Sequence, residues 1–473
     1  MIRRLALSLL LCLPFAASAQ AASPPTTDAA APRAIAPATD PARQVLDAWL
    51  DAFDSNDRAR LEAFRVRYMP KLNVDGMLGF HQQTGGFRVL RREPSAPGTA
   101  RALVQEMDSE TVARVTITMR KGEPPVLGVE AIERPADLRI ARLDQAGAIA
   151  ALAAKADADA AKDAFSGVLL VARGDDILLQ RAWGMADRDA KTPVTLDTKF
   201  RLGSMDKMFT AVATLQLVGA GKLSLDGSVG QYLPGYPNAE IAKVTIRQLL
   251  THAGGTGDIF GPEFDRHRLE LKTHDDYVRL YGTRGPTHPP GQGYEYSNYG
   301  FLLLGDIIEH VSGHSYYDYV DQHVFAPAGM HDTGSLPEDV AVPDRAHAYT
   351  QKDGRWIDAA DTLPYRGTAA GGGYSTAGDL LKFARALRSG KLLPPALLAE
   401  ATRKQTPWYG YGFMVGEHEG VPGFGHGGGA EGMNGALEIF PAQDEIFVGL
   451  ANVDPPEVER LVDYYMARMP LGN

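Results

Sequence analysis

Three short segments carry residue types able to break a carbonyl bond. The first is Gly203-Ser204-Met205-Asp206-Lys207, at the head of an apolar stretch. On a helix, Ser204 and Lys207 share a face, which sets a hydroxyl beside an amine. A serine at a helix start also lies where free backbone N–H groups and the helix dipole favour developing negative charge. The second is Tyr296-Ser297-Asn298, after the turn Pro290-Gly291-Gln292-Gly293. The serine proton needs a base, and tyrosine and lysine both have reference pKa values of about 10. Side by side, a lysine ammonium would stabilise a tyrosinate, and partial burial would push the lysine toward neutrality. Bringing either group to neutral pH takes roughly 4 kcal/mol, which a dry, charge-paired site supplies. The third is Gly425-His426-Gly427-Gly428-Gly429. Glycines there let backbone approach a substrate closely. The peptide N–H of Gly429, beside Gly428, could join that of Ser204 in an oxyanion hole, where each donor is worth about 3–4 kcal/mol of barrier. His426 could hold a substrate carboxylate or carbonyl, or assist proton transfer.

Each segment also has a bland reading. Ser204 could be a helix cap with Lys207 solvated one turn on, Tyr296-Ser297-Asn298 a packed tyrosine before an Asn cap, and the third a glycine-rich turn around one satisfied histidine. Other patterns compete. Gly373-Tyr374-Ser375-Thr376-Ala377 nearly matches the nucleophile elbow of an α/β-hydrolase, and His426-Gly427-Gly428-Gly429 resembles a lipase oxyanion motif. Their order is reversed for that fold, and Thr376 with Asp379 reads better as a capping box for a helix over 379–387. His252 follows a helix capped by Thr245 with Gln248 and reads as structural. His310 and His314 are four apart, but Gly313 interrupts and no third ligand follows. With no HExxH either, metal and other cofactors are not expected.

The elements that must position these segments follow from periodicity. Met208, Ala211, Val212 and Leu215 bury a helix running from Ser204 to about Val218, and Phe301, Leu304, Ile307, Ile308 and Val311 bury another after Asn298. Strands are expected at 167–172 and 177–183, again around 410–417, and in a hairpin over 436–453. A last helix spans about 456–468. Strands at both ends with helices between imply one sheet closed by the two halves of the region. Upstream, helices around 45–53 and 61–68 precede strands near 87–90, 102–107, 112–119 and 126–132. Ala113, Val115 and Ile117 alternate with Arg114, Thr116 and Thr118, as in a half-buried strand. This is a small α+β domain over 41–135, loosely similar to the NTF2-like fold, and 136–163 reads as a connecting helix.

A chain of 473 residues is too long for one core. Its net charge of -10, without a basic tract, argues against nucleic acid or anionic lipid as partner. Arg3 and Arg4, an apolar run from Leu5 to Phe15 and the small residues Ala17-Ser18-Ala19 read as an export signal over 1–19. Periplasmic or secreted location is therefore expected. The Ala/Pro-rich stretch 20–40 reads as a disordered linker. Cys12, the single cysteine, lies in the signal, which leaves no disulfide or thiolate for the mature chain. No later segment has the length and apolarity of a membrane span.

Ser-x-x-Lys, then Tyr-x-Asn about 90 residues on, then His-x-Gly about 130 further, is similar to the ordered motif set of the serine β-lactamase and penicillin-binding protein superfamily. The resemblance covers 164–470. It includes the stretches Val244–His252, Phe325–Met330 and Gly373–Leu380, and is nearest the class C β-lactamase, D-aminopeptidase and esterase branch. It implies an α/β (α+β) transpeptidase-like domain with an antiparallel sheet and a helical subdomain. It also implies an acyl-serine mechanism, with Ser204 as nucleophile, Lys207 and Tyr296 as the proton-transfer pair and Asn298 against the substrate amide. His426 stands where the family usually has lysine, so a fixed positive charge for an antibiotic carboxylate is absent. Small esters, amides or D-amino-acid peptides are the expected substrates. A D,D-carboxypeptidase, a β-lactamase and a non-catalytic cell-wall binding protein are the alternatives.

Overall fold

The computed structural model describes residues 40–352 and 355–471. The export signal and all of the linker but Asp40 lie outside the described residues. The chain divides into two units between Ile140 and Ala141.

In the first unit, Asp40 caps α1 (Pro41–Asp54) by accepting from the Ala42 N–H. The helix buries Val45, Leu46, Trp49, Leu50 and Phe53. α2 (Arg58–Tyr68) and α3 (Val74–Thr84) follow. The third helix escapes a periodicity search because only its end residues Val74 and Thr84 are buried. Antiparallel strands β1 (Phe87–Glu93), β2 (Thr99–Glu106), β3 (Val112–Thr118) and β4 (Val126–Ile132) form a sheet in sequence order. The expected alternation holds in β3, where Ala113, Val115 and Ile117 are buried.

The second unit opens with α4 (Gln145–Ala161). Read from sequence as a connector, this helix is part of the core. Ala148, Leu152 and Ala156 are fully buried in one cluster with Leu169, Val171 and Leu179. β5 (Gly167–Arg173) and β6 (Asp176–Trp183) come next, then α5 (Asp206–Gly219), α6 (Ile246–Leu250), α7 (Asn298–Ser312) and α8 (Ala377–Arg388) among shorter pieces. The chain returns through β7 (Met414–His418), β8 (Val421–Ala430), β9 (Met433–Phe440), β10 (Glu445–Ala451) and α9 (Glu457–Met466).

Among the described residues these strands make a six-stranded antiparallel sheet, ordered β7-β8-β9-β10-β5-β6. The last strand therefore pairs with the first, Val448 facing Leu170. Both central strands are buried on both faces. From β5, Val168, Leu170 and Ala172 join the core of the helical region, while Leu169 and Val171 join that of α4 and α9. Period-2 geometry divides one strand between two cores.

The strand β8 was not anticipated, because five of its ten residues are glycine and glycine lacks strand propensity. β7 pairs only with Val421–Gly425. From His426 onward β8 is bonded to β9 on one side, and the other edge is open to the serine segment.

Candidate active site

Ser204 sits in a single 3-10 turn, Gly203–Met205, that leads into α5. The turn lies against the open edge of β8. A Cβ on Gly428 would stand 1.9 Å from Leu202 O and 3.0 Å from Ser204 N, and one on Gly203 would stand 2.9 Å from Gly429 N. Only a glycine-lined strand lets the two backbones come this close. The peptide groups of Ser204 and Gly429 are thus brought together, as the oxyanion expectation requires. Ser204 itself is only partly buried.

Lys207 is fully buried rather than solvated. Its Nζ lies 3.2 Å from Ser204 Oγ, 2.7 Å from Asn298 Oδ1 and 2.5 Å from the Ala370 carbonyl. Burial lowers its pKa to about 7, against the opposing pull of Asp258 and Asp206. The arrangement has a direct consequence. A neutral amine has two hydrogens, and the two fixed acceptors, Asn298 Oδ1 and Ala370 O, match them. The lone pair is then left for the Ser204 hydroxyl.

Tyr296 hydrogen-bonds to Ser204, and burial drives its pKa upward despite that bond. Of the two options open from sequence, a tyrosinate held by lysine and a lysine pushed toward neutrality, burial favours the second. Burial acts on both groups in the direction that removes charge, so lysine becomes neutral and tyrosine stays a phenol. The Lys207 Nζ lies over the Tyr296 ring, 4.7 Å from its centroid.

Asn298 is the first residue of α7, and Ser297 rather than Asn298 is its cap, accepting from the Gly300 N–H. Asn298 is buried. Its Oδ1 accepts from Lys207, and its Nδ2 donates to Asp258 Oδ1 at 2.9 Å. The expected substrate contact of this amide is therefore already partly committed to a carboxylate.

His426 is brought to the site but fully buried. Its Nδ1 faces the Gly427 carbonyl at 2.5 Å, so that nitrogen carries the hydrogen, and Nε2 accepts from Tyr409 Oη at 2.8 Å. Burial and nearby Lys207 lower its pKa to about 3. It is neutral and both nitrogens are engaged, so the ring does not present a charge to a substrate carboxylate.

Five residues around the site were not assigned a part in it from sequence. His252, taken as structural, lies 4.2 Å ring to ring from Tyr296 and accepts from the Ser297 N–H at Nδ1. Tyr409 backs His426. The Ala370 carbonyl belongs to a loop rich in glycine, Gly371-Gly372-Gly373, a signal of close backbone approach. Asp206 accepts from the Gly373 N–H at 2.5 Å and is buried, which pushes its carboxyl up to about 7. It ties that loop to α5, a larger part than a charge in the first helical turn. Asp258 carries no pattern that would mark it. Among the described residues no His/Cys/Asp/Glu group suited to a metal is found, and no helix is long and apolar enough to cross a membrane.

A serine hydroxyl beside a buried amine, a phenol and facing peptide groups is the arrangement of a serine hydrolase. The beta-lactamase family model matches residues 150–468, and the chain belongs to that family. It is 31% identical over 314 residues to penicillin-binding protein 4 of Amycolatopsis lactamdurans, covering 60% of this chain and 80% of that one. It is 33% identical over 290 residues to esterase EstB of Burkholderia gladioli, covering 52% and 74%. Among solved structures, a D-stereospecific amidohydrolase from Streptomyces sp. matches with a TM-score of 0.57 and 29% identity, over 68% of this chain and 98% of that one.

Proposed function

We propose that the protein is an exported hydrolase that cleaves small esters or short D-amino-acid amides through an acyl-enzyme on Ser204. Lys207, neutral, takes the Ser204 proton as Oγ attacks the carbonyl carbon. The oxyanion that forms is met by the N–H groups of Ser204 and Gly429. Tyr296, as a phenol hydrogen-bonded to Ser204, passes a proton to the leaving alkoxide or amine and is reprotonated from Lys207. Water, deprotonated by the same pair, then releases the acid. The observation that carries this reading is Lys207 Nζ at 3.2 Å from Ser204 Oγ, with two fixed acceptors for the two hydrogens of the neutral amine.

The relatives named as esterase and D-stereospecific amidohydrolase support the substrate class. A neutral His426 supports it further. D,D-carboxypeptidase and β-lactamase substrates carry a carboxylate, for which this residue offers no cation. The test is a parallel turnover screen of aryl esters, D-amino-acid amides and β-lactams, with mass spectrometry of the acylated peptide. Esters or D-amides are expected to exceed a cephalosporin in kcat/KM, with the acyl group on the Ser204 peptide. Ser204→Ala is expected to lose at least about a thousandfold in turnover. Undiminished hydrolysis by that variant would refute the assignment.

A further inference from the structure

Behind the strand edge that faces Ser204 lies a polar pair that the acyl-transfer steps do not use. Asn434, on β9, is fully buried opposite Gly429 of β8. Its Oδ1 accepts from the Val458 N–H at 2.7 Å, in the first turn of α9. Its Nδ2 donates to Glu459 on the same helix, at 2.8 Å from Oε2 and 3.0 Å from Oε1, and to the Gly428 carbonyl at 3.3 Å. An amide nitrogen carries two hydrogens, so the carboxylate takes one and the carbonyl the other. Glu459 is largely buried, and burial pushes its carboxyl up to about 7. In either protonation state an oxygen remains to accept from Asn434.

The Gly428 carbonyl and the Gly429 N–H belong to one peptide group, and in a trans peptide the two point in opposite directions. A carbonyl turned toward β9 therefore turns the N–H toward the open edge of β8, against which the Ser204 turn lies. We infer that Asn434, held by Glu459, is a positioning residue of the oxyanion hole, fixing the Gly428–Gly429 peptide so that its N–H meets the carbonyl oxygen of the substrate. The inference rests on the reading of Ser204 as the acylated residue. Two further observations support it. The peptide joins two glycines, whose backbone sterics leave its orientation free, and β7 ends opposite Gly425, short of this point. Orientation must then come from hydrogen bonds on the β9 side, and among the described residues Asn434 is the side chain that donates to this carbonyl. Donation to the carbonyl also polarises the peptide and strengthens its N–H as a donor.

The test uses an aryl ester isotope-labelled at its carbonyl carbon and reads two quantities in the full-length protein. One is kcat/KM. The other is the infrared stretch of the acyl carbonyl in the trapped acyl-enzyme, which falls in frequency as hydrogen bonds to that oxygen strengthen. Asn434→Ala is expected to lower kcat/KM by about tenfold or more and to move the band to higher frequency. A double variant, Asn434→Asp with Glu459→Gln, reverses the pair. It keeps a bond between the two side chains, the net charge and an acceptor for the Val458 N–H, but leaves no donor for the Gly428 carbonyl. It should show the same loss and the same shift, and it decides the question alone where Asn434→Ala does not fold. Wild-type rate and band in the reversed pair would mean that Asn434 only joins β9 to α9, which would overturn the inference. So would a loss of rate with an unmoved band. Wild-type rates in Ser204→Ala would instead mean that the underlying acyl-enzyme reading had failed, and this inference with it.

Discussion

At the scale of residues, burial separates the two candidate bases. Lysine and tyrosine lose charge in opposite ways when desolvated, one by giving up a proton and the other by keeping it. The motif spacing made the meeting of Ser204, Lys207 and Tyr296 legible from sequence, because each is a distinctive type in a fixed order. Their protonation was not legible, since it depends on how water is excluded by residues far apart in the chain. His426 shows the same limit. Its type and position were plain, but its engagement by Tyr409 and the Gly427 carbonyl depends on packing. The negative charge of Asp206 favours the Lys207 ammonium. Asp206→Asn keeps an acceptor for the Gly373 N–H and removes the charge, so Lys207 should bind its proton less tightly. The acid limb of kcat/KM is therefore expected to move to lower pH in this variant, read from full pH profiles of both proteins. An unmoved limb, or one displaced to higher pH, would contradict that coupling.

At the scale of elements, the site depends on a half-open strand. β8 is paired on both sides only as far as Gly425, and its glycine-rich remainder admits the Ser204 turn. Helices such as α5 and α7 were legible because their apolar positions recur with helical period and are buried, as Met208, Ala211, Phe301 and Leu304 show. A strand of glycines has no such signal, and its role as a strand follows from its neighbours. Likewise α4 has the alanine-rich composition of a linker, yet its small side chains are what let it lie close against the sheet. Gly428→Ala places a Cβ against Leu202 O and Ser204 N, both backbone atoms that have no rotamer to relieve the clash. The peptide N–H groups should move apart, lowering kcat by about a hundredfold, as loss of an oxyanion donor does, while the chain remains folded by circular dichroism. Unchanged kcat would remove the open edge of β8 from the account.

At the scale of the whole molecule, the second unit draws its sheet from both ends and its reactive groups from the middle. Ser204, Asn298 and Ala370 lie far apart in sequence, yet meet at one lysine amine. That a sheet would be closed by the two halves of the region was legible from strand signals at either end. Which loops would meet over it was not, because Asp258 and Ala370 reach the site through turns without periodicity. The first unit has its own helices, sheet and core, and no chemical motif was read there. The central claim is that this assembly keeps Lys207 neutral beside Ser204 near physiological pH. The most direct measurement is the rate at which an uncharged fluorophosphonate labels Ser204, followed by mass spectrometry across a pH series. The account predicts labelling that rises with pH through a single transition at about 7. A rate independent of pH, or one rising only near the ordinary lysine or tyrosine range of about 10, would contradict it.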